Sequence, residues 1–299
     1  MDDRFVMVRG LSQRYNTVWL NNASTPSSEA DVRAFSFDVI PSSMLENILV
    51  FKSPAPDLPA DFSGAAIKIF TKNNADKNSF SLAYSTSYRP GATFKDFNNY
   101  RLSKYDWLGF DDGSRALPAD FPAHLNEVTD KLERQRLGRE LDKVWTPAVS
   151  TAIPDQRFQF GLTRRFLVGK VSVGTINSFT YSYSQDVDNI FRADYQQYDT
   201  VKDVSDTNYY FNDIRSRATA KIGALSNWLF VFGKNQKVEF RNLYNHQGYT
   251  QVIDRSGRDN YGGLTIRSEE LSFSSRNTYS GQLAGDHSFR NNLAHFDWT

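Results

Sequence analysis

The sequence predicts a mainly β protein: a small α+β unit at the N-terminus, then antiparallel strands of the membrane-barrel kind. Three observations predict it. Aromatic residues make up 14% of the 299 residues although mean hydropathy is −0.55, the combination expected when only alternate strand residues face lipid. From Asn78 onward, apolar and small polar residues alternate with period two. Short Gly-containing turns alternate with longer polar connections, the asymmetry of outer-membrane barrels.

Composition narrows the function classes. No window reaches the ~18–20 consecutive apolar residues that a spanning helix needs. The net charge of +1 makes no electrostatic case for nucleic acid. Cysteine is absent, which excludes disulfides, thiolate metal sites and cysteine nucleophiles. No apolar leader follows Met1-Asp2-Asp3-Arg4, so either the chain stays in the cytoplasm or an upstream part is absent from it.

The first unit reads as short elements joined by turns. Phe5–Val8 is a strand closed by Arg9-Gly10, and Thr17–Leu20 is a second, bounded by Tyr15-Asn16 and Asn21-Asn22. Residues 22–28 carry loop chemistry, with Pro26 fixing φ. Ser43 with Glu46 three residues on predicts a short helix start at Met44-Leu45-Glu46. Ile48–Phe51 is strand-like, Pro54, Pro56 and Pro59 enforce an extended link, and Gly64 turns into the strand Ala66–Phe70. A unit of about seventy residues lies near the lower limit for independent folding, so something should pack around it.

The order of these pieces carries a resemblance. Val8-Arg9-Gly10, Tyr15-Asn16, Val18, Leu20-Asn21, Arg33, Phe35-Ser36-Phe37-Asp38 and Ile40-Pro41 are followed by Ile48, Val50, Lys52, Pro56-Asp57-Leu58-Pro59, Asp61-Phe62-Ser63-Gly64 and Ile69-Phe70-Thr71-Lys72. Across residues 5–72 this resembles the plug domain of TonB-dependent outer-membrane receptors. Ala65 and Asn22 depart from it, standing where many members have Gly. The resemblance implies a plug over residues 1–73, truncated at its N-terminus, and a role for Arg9 in locking plug to barrel. Gly10 and Gly64 are most simply turn glycines.

The second unit, residues 74–299, alternates throughout. Phe80, Leu82, Tyr84, Thr86 and Tyr88 share one face against Ser79, Ser81, Ala83, Ser85 and Ser87. Phe158, Phe160, Leu162 and Phe166 repeat the pattern, broken by Arg164. Val171, Val173, Phe179, Tyr181 and Tyr183 oppose Ser172, Gly174, Ser178 and Ser182, and the two strands join in a tight hairpin near Val168-Gly169. Further turns are read at Gly233–Gln236 and from Gly285-Asp286. Polar loops are expected at residues 199–206 and 254–262, and a long insertion at about 89–154. Within it, Leu125, Val128, Leu132, Leu137, Leu141 and Val144 predict a helix over roughly Ala123–Lys143, read as covering a loop or rim rather than lying on a membrane.

About seven strands are countable, whereas a barrel that holds such a plug has ~22. An open set would expose unpaired backbone groups to lipid, so the sequence is expected to be part of a larger receptor.

Sites for chemistry are few. His124, His246, His287 and His295 are scattered, Asp111-Asp112-Gly113 and Asp186–Asn189 lack EF-hand spacing, and Glu269-Glu270 point to opposite strand faces. No enzyme activity, cofactor or metal is expected. The resemblance implies an outer-membrane receptor that takes up a scarce or large substrate (carbohydrate, peptide or metal chelate), energised by TonB through a segment missing from this chain. It also implies contact with the lipid bilayer and an outer-membrane lipoprotein as a further partner. Tyr15, Asn16, Asn21 and Asn22 are the candidate ligand-side residues, with plain turn residues as the competing reading. A non-transporting adhesin or binding protein, a non-functional receptor fragment and an outer-membrane hydrolase are the alternatives.

Overall fold

A computed structural model describes residues 5–25, 27, 34–35, 37, 44–56, 58, 63–72, 77–233, 235–289 and 293–299. The expected helix start at Pro41–Ser43, and Arg33, Ser36, Asp38, Ile40, Asp57, Pro59, Asp61 and Phe62 of the plug pattern, lie outside the described residues. No described helix is long and apolar enough to cross a membrane.

The N-terminal unit is a four-stranded mixed sheet. Its strands are β1 (Thr17–Leu20), β2 (Ala23–Ser24), β3 (Leu45–Phe51) and β4 (Ala66–Thr71), in spatial order β2-β1-β4-β3. Only β1 and β4 run parallel, with Val18 opposite Ile67. Met44 precedes β3, and Leu45 and Glu46, expected to open a helix, are already strand. The Ile-Leu-Val-Phe run favours a pleated, half-buried surface over a helix. Phe5–Val8 contributes only an isolated bridge from Val8 to Leu11.

The larger unit is one open antiparallel sheet of seven strands, in spatial order β13-β12-β11-β10-β9-β8-β5. They are β5 (Ser79–Ser87), β8 (Asp155–Val168), β9 (Val171–Tyr195), β10 (Thr207–Phe232), β11 (Gln236–Asp259), β12 (Leu264–Phe289) and β13 (Ala294–Trp298). β9 to β12 have 24 to 26 residues each, more than twice the ~9–11 a tilted strand needs to cross a bilayer. Gly285-Asp286, expected in a turn, lies inside β12, and Asp254–Asp259, expected in a loop, belongs to β11. Both segments complete backbone ladders with their neighbours, which outweighs their turn-like composition.

Residues 88–154 connect β5 to β8. They include the paired strands β6 (Asp96–Asn99) and β7 (Ala148–Thr151) and the helix α1 (Lys131–Glu140), shorter than the sequence suggests. The Asp130 side chain caps α1 by accepting from the Leu132 amide at 2.9 Å. Only Leu137 of this helix is buried, so its apolar stripe is too narrow to extend the helix by packing.

Candidate functional site

Continuous register across the sheet fixes which side chains share a face. One row runs Leu82, Phe160, Phe179, Ala224, Tyr244, Tyr279 across six strands. Two rows nearer the short turns hold Trp228, Phe240 and Leu283, then Phe166, Val173, Phe230 and Val238. This is the aromatic face. Phe80, Leu82, Tyr84, Phe240, Tyr279 and Leu283 are exposed on it, far more apolar surface than a water-soluble monomer leaves open. One row between these carries Asn177, Ser226 and Asn242. They satisfy each other: Ser226 Oγ donates to Asn177 Oδ1 at 2.8 Å, and Asn242 Nδ2 to the Ser226 carbonyl at 3.2 Å.

The opposite face carries the N-terminal unit. Ile176, Leu225 and Leu243 pack into one core with Val18, Leu20, Ile67, Ile69 and Met44. Two polar side chains cross the same seam. Asn227, 1% exposed, donates to Thr71 Oγ1 at 3.2 Å and to the Lys72 carbonyl at 2.6 Å. Gln282 Nε2 donates to the Leu20 carbonyl at 2.9 Å, beside a cleft of about 240 Å³ that Phe35, Tyr279 and Gln282 help to line.

Beyond the N-terminal unit the same face becomes a wall of charged rungs. Asp213, its side chain fully buried, accepts a bidentate pair from Arg255 (2.7 and 2.8 Å) and a bond from Arg192 Nε (2.9 Å). Arg215 holds Asp188 at 2.6 Å. Arg217 donates to Gln251 Oε1, whose amide donates to Glu270 at 3.2 Å. Aromatic rings sit among these charges, with the Arg217 guanidinium 4.7 Å from the Tyr249 ring centre and that of Arg255 5.0 Å from Phe211. Guanidiniums, carboxylates and rings on one face suit a polar, hydroxyl- or carboxylate-bearing ligand.

The residues singled out in the sequence fall on the N-terminal unit, away from those rungs. Asn21 and Asn22 have φ of +49° and +68° and form the two-residue turn joining β1 to β2, where Leu20 pairs with Ala23. Asn21 is buried and bonds Thr71 through both ends of its amide. Asn16 is also buried: its Nδ2 donates to the Val6 carbonyl, and its Oδ1 accepts from the Ala65 amide at 3.0 Å. Gly64 is required by that arrangement, since a Cβ there would stand 2.3 Å from Asn16 Oδ1. Tyr15 is exposed beside Arg14. Arg9 and Gly10, at φ +57° and +72°, form a second tight turn, and Arg9 is exposed with no ion pair to a described residue.

Asn227, Gln282, Asp213 and the rung arginines were not singled out in the sequence; of the Arg–Asp rungs only Asp188 was, within Asp186–Asn189. A signal existed for the rungs: Arg215 and Arg217, like Asp186 and Asp188, are same-sign charges two apart, hence on one strand face. Asp186 pairs with Arg89, and Asp111 with Arg115 at 2.8 Å. Glu270 bonds on the charged face while Glu269 lines a cleft on the aromatic one.

No family model matches the chain, and no curated protein matches it. Among solved structures, the outer membrane transporter YddB from Escherichia coli matches with a TM-score of 0.31 and 15% identity, over 95% of this chain and 39% of that one. This is a distant likeness. The chain thus spans less than half the length of that transporter.

Proposed function

We propose that this chain forms the plug and part of the wall of an outer-membrane receptor that imports a scarce or large polar substrate with energy delivered through TonB. One observation carries the proposal. The long sheet is two-sided, with exposed aromatic rows on one face and a compact domain plus charged rungs on the other. A soluble sandwich would bury its apolar face against a second sheet, whereas a membrane wall turns it to lipid and keeps its polar face inward. The N-terminal unit then occupies the lumen side, where a plug belongs, and the rungs beyond it line the approach of the ligand.

The test is fractionation followed by uptake. The gene is expressed in its natural reading frame, in cells with and without TonB, under growth limited by an oligosaccharide, a peptide or a ferric chelate. The expected outcome is recovery in the outer membrane and growth on one nutrient that requires both the gene and TonB. Recovery in the soluble fraction would end the membrane reading. Outer-membrane recovery with TonB-independent binding and no growth would favour an adhesin.

A further inference from the structure

The segment between β5 and β8 lies on the aromatic face of the sheet, the side opposite the N-terminal unit. Four contacts place it there. Gly109 meets Gly248 so closely that a Cβ on Gly248 would stand 2.0 Å from the Gly109 oxygen. His246, fully buried, stacks on Phe110 at 3.6 Å and bonds the Gly109 carbonyl through Nε2 at 2.8 Å. The Tyr181 hydroxyl donates to the Trp107 carbonyl at 2.7 Å. Phe97 packs on Ala218, Tyr183 and Val187. Along these strands the residues alternate without a bulge, so Ala218, Ile222 and His246 face away from Leu225 and Leu243.

Height along the wall gives this placement its meaning. The lowest row the segment touches is Tyr181, Ile222, His246, Asn277. From the short turns at Gly169 and Gly233, that row lies about ten residues up each strand, the length with which a tilted strand crosses the hydrocarbon. Below it are the aromatic rows, and above it the segment covers the face around Ala218 and Ala220, while Phe191, Tyr210 and Ile214 higher on the same face stay exposed. At this boundary the segment presents Trp107, 55% exposed and edge-on to Tyr181, with Tyr105 beside it and Lys104 5.1 Å from the Tyr105 ring. Tyr88 and Phe94, 62% and 67% exposed, pair at the top of the edge strand. Amphipathic rings with a neighbouring cation suit the layer where acyl chains meet phosphate-bearing headgroups.

We infer that residues 88–110 form a collar clasped to the outside of the wall, resting through Trp107 and Tyr105 on the lipid headgroup layer. The inference rests on the outer-membrane reading above and adds a lipid-contact surface outside the strands. A collar in that position fixes how deep the wall sits, and its first residues reach round the edge, where Arg89 pairs with Asp155 and Asp186.

Because the chain has no cysteine, single nitroxide probes can measure depth. The product of the natural reading frame, with any cysteine outside this chain replaced by serine, is reconstituted in phosphatidylcholine vesicles containing phosphatidylglycerol, with a probe at Leu82→Cys, Lys104→Cys or Tyr261→Cys. Leu82 lies in the aromatic rows, and Tyr261, 93% exposed, lies at the tip of the β11–β12 turn. Accessibility to oxygen and to an aqueous nickel chelate is compared. The expected result is acyl-chain depth at 82, water at 261 and an interfacial value at 104 that shifts to the aqueous value when Trp107→Ala is added. A probe at 104 as aqueous as that at 261, with 82 still in the acyl region, would overturn the collar alone. An aqueous value at 82 would overturn the membrane reading and the collar with it.

Discussion

Removing the Asn227 side chain should loosen the N-terminal unit from the wall without unfolding the sheet. Asn227 is 1% exposed, and its amide makes two bonds across the seam, to Thr71 Oγ1 and the Lys72 carbonyl, while its Oδ1 accepts from the Asn242 amide at 3.1 Å within the wall. Asn227→Ala leaves Thr71 with its Asn21 partner but removes one bond each from the Lys72 carbonyl and the Asn242 amide. Leaving one buried group unsatisfied costs about 1–3 kcal/mol. That corresponds to a roughly 5–150-fold rise in the equilibrium for opening the seam. The assay is thiol labelling under native conditions in detergent, with one cysteine at Ala65→Cys, fully buried in the N-terminal unit, or at Ala220→Cys, 1% exposed beneath the collar. Labelling at 65 should accelerate within that range, and labelling at 220 should not change. A rate at 65 that stays the same would refute the assignment of Asn227 as a seam residue. Equal acceleration at both sites would mean that the variant had unfolded the wall.

Three further outcomes follow from the same geometry. Leu162→Arg, on the aromatic face, should destabilise the vesicle-inserted chain by about 2–4 kcal/mol, while Thr163→Arg on the opposite face should cost little, read by urea unfolding in lipid. Gly248→Ala should undock the collar, because the new methyl would overlap the Gly109 carbonyl; protease cleavage within residues 88–154 should quicken while the long strands stay protected. Arg136 holds Asp120, Glu133 and Glu140 at 2.6 to 2.7 Å, and its hydrogen bonds keep the Asp120 and Glu133 carboxyls below their ordinary range. Folded pKa values below the unfolded ones mean that this support is complete above the unfolded carboxylate values, about 4 to 4.5, and is lost as pH falls through the lowered values. Protease sensitivity around α1 should therefore rise at strongly acidic pH, and Arg136→Gln should remove that pH dependence.

The fold class was legible because period-two alternation survives local composition. The parity of Phe80 to Tyr88 and of Val171 to Tyr183 is the parity of the observed faces. Strand ends were less legible. Gly285-Asp286 has turn chemistry, but Gly285 lies in the ladder where the Trp298 ring crosses close over it. The Met44–Glu46 segment has a capping pattern, yet its pairing with β4 prevails. The seam was not legible at all. Asn227 and Thr71 are 156 residues apart, and nothing local in either marks a pair that only tertiary packing brings together. The collar was hidden for a related reason: nothing local marks Gly109 or Gly248, and only their contact shows that both must lack a side chain.

The balance of forces across the sheet bears on how the parts could move. Among the described residues, the N-terminal unit is held to the wall by three apolar wall residues, Ile176, Leu225 and Leu243, and by the side-chain bonds of Asn227 and Gln282. Its own strands are joined by backbone ladders, with β4 paired on both edges. Breaking a ladder exposes several backbone groups at once, whereas parting the seam among the described residues exposes few polar atoms and a small apolar patch. The seam is therefore the lower-energy place to open, and it should open with the N-terminal unit moving as a body. The cleft beside Gln282 already marks a gap in that seam, and Gln282 Oε1 there is buried without a described partner. A site that water or a polar ligand group could satisfy only after slight separation lowers the cost of opening further. Gln282→Leu removes the bond to the Leu20 carbonyl and should quicken labelling at position 65, as Asn227→Ala does; an unchanged rate would place the weak point elsewhere.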